Sequence, residues 1–156
     1  MTAVNIIWFR RDLRLHDNAA LFHALNDKSP VLPVFIFDRN ILDDLADRTD
    51  RRVEFIHEAL QQMQKQLTKT GSTLDVRYGF PEEIFLQLAK EYTIEKVFTN
   101  HDYEPYATQR DEAIRKLLND KGISLHTFKD QVVFEKDEVT KDDGKPYTVF
   151  TKYKKK

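Results

Sequence analysis

Val4-Asn5-Ile6-Ile7-Trp8-Phe9 runs straight into Arg10-Arg11-Asp12-Leu13-Arg14-Leu15-His16-Asp17-Asn18. The first six residues are apolar except for Asn5 and rich in β-branched and aromatic side chains. Such a run reads as a buried strand of a helix-covered parallel sheet. The sudden change to charge marks its C-terminal end, where open parallel sheets place their ligands.

Four further runs of this kind follow: Val31 to Phe37, Thr73 to Tyr78, Lys96 to Thr99 and Ser124 to Phe128. Between them apolar residues recur at helical spacing, as in Phe55, Ile56, Ala59, Leu60, Met63 and Leu67, then Ile84, Phe85 and Leu88, then Ala113, Ile114, Leu117 and Leu118. Gly71 and Gly122 follow helical patterns as left-handed C-caps, and Pro81 and Pro105 suit the first turns of the helices they open. Strand and helix alternate through short links. The expected fold is therefore α/β, a Rossmann-like or flavodoxin-like three-layer sandwich with a parallel sheet of about five strands. After Phe128, Val132 to Val139 and Tyr147 to Phe150 read as two short extended pieces around a turn at Asp143-Gly144.

The 156 residues suit one domain, and 40% hydrophobic with 12% aromatic residues is enough for a core. No apolar run approaches the roughly 20 residues of a membrane span, and no signal-peptide pattern opens the chain, so a cytoplasmic protein is expected. With no cysteine there is no disulfide, thiolate metal site or cysteine nucleophile. The net charge is -1, yet Lys152, Lys154, Lys155 and Lys156 leave the rest of the chain more acidic, a poor duplex-DNA binder by itself. Those lysines read either as a solvated tail or as a nucleic-acid patch.

The strand ends carry the candidate chemistry. Arg10, Arg11 and Arg14 with Asp12 and Asp17 either bind an anion or polar ring or pair with one another and pin the loop. Phe37-Asp38, the helix opening Asp50-Arg51-Arg52-Val53, and Asn100-His101-Asp102-Tyr103-Glu104-Pro105-Tyr106 add carboxylates, guanidiniums and aromatic faces around one predicted mouth. A planar heterocycle with imide-like edges would be satisfied there. The alternative is that Asp102 caps a helix and Trp8, Phe35 and Tyr106 are core. No Gly-x-Gly-x-x-Gly or phosphate-loop motif is present. Asp43, Asp44, Asp47 and Asp50 lack a calcium loop's central glycine and closing glutamate. The five histidines lack paired ligand spacing.

Ile7-Trp8-Phe9-Arg10-Arg11-Asp12-Leu13-Arg14-Leu15-His16-Asp17-Asn18-Ala19-Ala20-Leu21 resembles the opening signature of the DNA photolyase and cryptochrome family. Asp50-Arg51-Arg52-Val53-Glu54-Phe55, Asn100 to Tyr106 with Arg110-Asp111, and Tyr147 to Lys154 follow in family order, so the resemblance spans the chain. It implies the N-terminal α/β antenna domain over residues 1–130, with 131–156 as the start of the linker toward a C-terminal FAD-binding helical domain. The end at Lys156 is expected to be a cut where family members run on.

By that resemblance the chain binds the light-harvesting pigment of a blue-light-driven photolyase, a carbon–carbon lyase that repairs cyclobutane pyrimidine dimers in DNA. The alternative is a signalling cryptochrome or antenna-less relative in which the domain is an interaction platform. Implied partners are the FAD-binding domain of the same protein and damaged DNA through the full-length protein, with no membrane. Folate-binding members resemble one another in an Asn-Glu pair where this chain has Tyr106-Ala107. A deazaflavin or flavin (FMN or FAD) is therefore favoured over methenyltetrahydrofolate, with catalytic FAD only in the C-terminal domain. The resemblance carries over Arg52, Asp102 and Glu104 as polar contacts and Trp8, Arg10, Phe35 and Asp38 as lining.

Overall fold

The central strand β1 (Ala3–Phe9) is buried at every position from Val4 to Phe9, as the unbroken apolar run predicts. The computed structural model describes residues 3–45, 50–135, 138–148 and 150–154. In chain order β1 is followed by α1 (Ala19–Leu25), β2 (Val31–Asp38), α2 (Arg39–Leu42), α3 (Arg51–Lys69) and β3 (Asp75–Gly79). Then come α4 (Pro81–Glu91), β4 (Thr93–Asn100), α5 (Pro105–Asn119), β5 (Ser124–Phe128) and α6 (Phe150–Tyr153). The five strands pair in parallel in the order β3-β2-β1-β4-β5. Of the two doubly wound orders the sequence left open, this is the Rossmann one.

Alternation of side chains divides the core into two layers. Ile6 and Trp8 of β1, Val34 and Ile36 of β2 and Val97 of β4 pack against Ile84, Phe85 and Leu88 of α4 and Ile114 and Leu118 of α5. Ile7 and Phe9, with Phe35 and Phe98, face Ala20, Leu21 and Ala24 of α1 and Leu60 and Met63 of α3. The helix after β1 thus covers one face and the helix after β4 the other. Because β1 and β4 are neighbours, their following loops part and leave a crevice at the C-terminal edge.

Local chemistry sets the helix ends. Asn18 and Asp50 accept from the backbone N–H of Leu21 and Arg52 and so cap α1 and α3. Pro81 and Pro105 open α4 and α5, while Gly71 and Gly122 take φ of 76° and 74° just past α3 and α5. α1 and α2, at seven and four residues, lack the length for a periodic signal.

One expectation fails. Among the described residues after Phe128 there is no strand: residues 141–145 form a turn, with Gly144 at φ 77°, and Phe150 begins α6 instead of ending an extended piece. This segment is tied back by side chains rather than laid along the free edge of β5. Lys136, Asp137 and Val149 of those pieces, Asp47 of the acidic run, and Lys155 and Lys156 of the tail lie outside the described residues. Among the described residues no helix is long and apolar enough to cross a membrane.

Candidate functional site at the strand ends

The crevice is closed at its base by amides. Asn100, the last residue of β4, accepts from the Ala20 N–H at 2.9 Å and donates to Asp12 Oδ2 at 2.6 Å and Asn18 Oδ1 at 2.9 Å. Asp12 accepts in turn from the Arg10 N–H at 2.9 Å and from Asn18 Nδ2 at 3.1 Å. The buried Asn18 and Asn100 thus satisfy each other and fix the path of the first loop.

The three arginines of that loop are all paired, but with acids from other elements. Arg10 is 8% exposed and grips both oxygens of Asp111 on α5, at 2.5 and 2.6 Å, while also donating to the Asn100 carbonyl. Arg11, 58% exposed, lies 3.5 Å from Asp102 and pairs with Glu104, whose carboxyl it holds below the ordinary range. Arg14 reaches Asp130 at 2.7 Å, and Asp130 also accepts from the Ala19 N–H at the start of α1. The loop is pinned at three points, yet not by its arginines and aspartates pairing with one another as the alternative had it: the anchors are α5, the residues just ahead of it and the segment after β5.

A second cluster sits between the ends of β1 and β2. Asp38 closes β2 by capping α2 through the Asn40 N–H at 3.0 Å and accepts from the Tyr106 hydroxyl at 2.5 Å. Burial, then the Asp38 carboxylate, pushes the Tyr106 phenol up to about 12. The Arg110 guanidinium lies 5.0 Å from the Trp8 ring centre and 5.5 Å from that of Tyr106, and Arg10 sits 5.1 Å from Trp8. Arg110 is 3.8 Å from Asp38 and 3.2 Å from Asp111. Two guanidiniums therefore flank one indole, held by two carboxylates, with all four charged groups largely buried.

A third group fastens the segment after β5. Glu135 accepts from the Tyr103 hydroxyl at 2.5 Å and pairs with His101 Nδ1, while His101 Nε2 meets Thr127 Oγ1 at 2.9 Å. The Tyr103 contact, with His101 and Lys129 adding to it, holds the Glu135 carboxyl below its ordinary range.

The structure brings together only some of the residues the sequence singled out. Trp8, Arg10 and Asp38 meet around Arg110 and Asp111, whereas Asp102 and Glu104 meet around Arg11. Phe35 is buried on the α1/α3 face, edge-on to Phe37 at 5.0 Å, and Trp8 on the opposite face, edge-on to Phe85 at 5.1 Å. Inside the sheet these two rings cannot flank a common ligand. Arg52, in the first turn of α3, is 76% exposed and bound to Asp50 at 2.5 Å. Asp102 accepts from the Glu104 N–H at 3.3 Å in a turn ahead of α5, but Glu104 is the N-cap residue and no side chain caps the helix, so Asp102 is not the cap that the alternative supposed.

Sequence reasoning gave no role to Arg110, Asp111, Asn18 or Asn100. The available signal was spacing: Tyr106 and Arg110 stand four apart on a helix and share a face.

The family model of DNA photolyase matches residues 5–156. The deoxyribodipyrimidine photo-lyase of Synechococcus sp. is 34% identical over 150 residues, which is 96% of this chain and 31% of the relative. Cryptochrome-1 of Gallus gallus is 31% identical over 137 residues, 88% of this chain and 22% of the relative. A solved archaeal photolyase from Sulfolobus tokodaii, described as carrying two FAD molecules with implication of a novel light-harvesting cofactor, superposes with a TM-score of 0.85. It shares 31% identity over 97% of this chain and 34% of its own. The chain spans about a third of the length of the photo-lyase it matches.

Proposed function

The chain belongs to the DNA photolyase family, and from that membership we propose that it is the light-harvesting, antenna-pigment-binding part of a blue-light-driven photolyase. Repair of cyclobutane pyrimidine dimers is the proposed work of the whole protein, in which residues 1–130 form the antenna domain. Residues 131–156 then begin the linker toward a C-terminal helical domain holding the catalytic FAD, the part through which damaged DNA is engaged. The proposed compartment is the cytoplasm. The photolyase reading is preferred to a cryptochrome platform because the photo-lyase relative is more similar over more of the chain.

The observation that carries the reading is the donor and acceptor set at the C-terminal edge. A flavin or deazaflavin ring presents an imide N–H, which needs an acceptor, and carbonyls, which need donors. Asp38, Asp102 and Glu104 are the proposed acceptors, and Arg52 with backbone N–H groups the proposed donors. Trp8 and Arg10 support the floor, and Phe35 backs the β2 side from beneath. When bound, the pigment absorbs blue light and passes the excitation on. The protein's task is to hold its ring at one angle, which rigid elements do better than a free loop. A deazaflavin or flavin is proposed ahead of methenyltetrahydrofolate. At the Asn-Glu place of folate binders, Tyr106 is engaged with Asp38 and Ala107 is buried against the core.

Titrating the chain with a 5-deazaflavin, FMN, FAD and methenyltetrahydrofolate tests this. One of the first three should bind tightest; selective binding of the folate would reverse the assignment. Illuminated with a flavin added, the chain alone should leave thymine dimers intact, and repair above the protein-free control would sink the antenna-only reading.

A further inference from the structure

We propose that Arg110 is a positioning residue for the pigment site: clamped between the Trp8 and Tyr106 rings, it fixes the direction of the Asp38 carboxylate proposed to meet the ring. The inference rests on the antenna reading and deepens it.

Arg110 does not face solvent and is not a surface ion pair. Its side chain is 6% exposed, and Asp38 beside it is 5% exposed. Its Nε and Nη2 donate to Asp111 Oδ1 at 3.3 and 3.2 Å, and its Nη1 lies 3.8 Å from Asp38 Oδ2. Asp38 Oδ2 is the same oxygen that accepts from Tyr106, while Oδ1 is taken by the Asn40 N–H. One guanidinium therefore spans a carboxylate at the end of β2 and a carboxylate on its own helix, with an aromatic face on either side.

Burying such a group costs desolvation that a well-packed apolar side chain avoids, and in some proteins buried charge is kept for the conformation it specifies. Here that conformation is the orientation of Asp38. Arg110 and Tyr106 of α5 meet Asp38 directly, and Asp111 and Arg10 are joined to it through Arg110; Arg39 of α2 turns instead to Asp43 and the Phe80 ring. Without Arg110 the Asp38 carboxylate loses its charged partner on the helix side. A swivelling carboxylate is a poorer acceptor for an imide N–H. Arg110 does not touch the ring in this account, which is why it positions rather than binds.

The experiment titrates the chain and its Arg110→Gln, Arg110→Lys, Tyr106→Phe and Asp38→Asn variants with FAD, FMN and a 5-deazaflavin. Affinity and the visible circular dichroism of the saturated complex are both recorded. Arg110→Gln should bind the preferred probe about tenfold more weakly and lose much of the induced dichroism. Arg110→Lys, which keeps charge without the flat fork, should restore affinity but not the dichroism. Asp38→Asn should weaken binding by a similar factor.

A fold defect alone would not shift the dichroism of the saturated complex; the melting transition of each variant, followed by Trp8 emission, is measured alongside. If Arg110→Gln does not fold, Arg110→Lys and Tyr106→Phe carry the test: both should lose dichroism at saturation, and retention in both overturns the proposal. Wild-type binding with unchanged affinity and dichroism in Arg110→Gln rejects the role of Arg110 and leaves the antenna reading standing. No binding of any probe by the wild type rejects both.

Discussion

The pair Arg10–Asp111 offers a sharp test of how the strand ends are held. Arg10 Nη1 meets both carboxylate oxygens, at 2.5 and 2.6 Å, with the two side chains 8% and 15% exposed. Around Trp8 it belongs to a set of two cations, Arg10 and Arg110, and two anions, Asp38 and Asp111. Asp111→Leu leaves two buried cations against one anion, and Arg10→Met leaves two anions against one cation. Breaking a buried pair from one side costs about 3 to 5 kcal/mol, because the remaining charge is stranded. The double variant removes one charge of each sign and leaves Arg110 opposite Asp38, so neutrality returns. Its cost should fall below the sum of the singles by about 2 kcal/mol or more.

Urea unfolding followed by the single tryptophan measures all four proteins. Each single variant should also melt roughly 6 to 20 °C lower, at about 2 to 4 °C per kcal/mol for a chain of this size. Arg39→Gln is the control: it pairs with Asp43 and both side chains are exposed, and such pairs contribute about 0 to 1 kcal/mol. Additive losses in the double variant, or single losses no larger than that of Arg39→Gln, would show that the cluster is not a coupled buried unit.

Three other outcomes follow from the same geometry. The Tyr106 phenol, raised from about 10 to about 12, stabilises the fold fully below pH 10, and this is lost as pH rises through 12. Spectrophotometric titration should show a late phenol that Tyr106→Phe removes. Glu135, lowered by Tyr103, His101 and Lys129, ties down the segment after β5 at neutral pH and releases it as pH falls below the carboxyl range. Intrinsic-rate-corrected amide exchange in residues 129–135 should rise there, and at neutral pH in Glu135→Gln; equal protection in that variant would dismiss the tie. Arg52→Gln should leave the melting temperature nearly unchanged yet weaken binding of the preferred flavin or deazaflavin about tenfold, and unchanged affinity would remove Arg52 from the site.

Most of the fold could be read from the chain because buried parallel strands announce themselves. Val4 to Phe9, Asn5 apart, is apolar on both faces since helices cover both. The opening of β4 at Thr93, Ile94 and Glu95 escaped because only the middle residue is buried. The extended pieces expected after Phe128 failed because side chains of a strand-like type are not enough: a strand needs a neighbour, and this segment spends its polar groups on Arg14, His101 and Tyr103 instead. The candidate site was legible only as composition. Charges at strand ends were visible, but the pairing of Arg10 with a residue 101 positions away was not. That Trp8 and Phe35 lie on opposite faces depends on Trp8 pairing with Val34, a register no single strand encodes.

The two halves of the proposed pocket differ in how they are made, and that difference bears on how a pigment would be held. On the β1/β4/α5 side Arg10, Arg11, Arg14 and Arg110 already have acidic partners, and Asn18 and Asn100 lock the loops beneath them. A ring meeting that wall finds fixed groups and imposes little reorganisation. On the α3 side Arg52 stands in water with Asp50 as its partner, and Asp50 is already employed as the cap of α3. An exposed pair of this kind is easily exchanged. The rigid wall then sets the angle of the ring and the exposed guanidinium closes on it afterwards. This ordering assigns orientation to Asp38 and Arg110 and retention to Arg52, so loss of the first should alter the induced dichroism of the bound ring and loss of the second only its affinity.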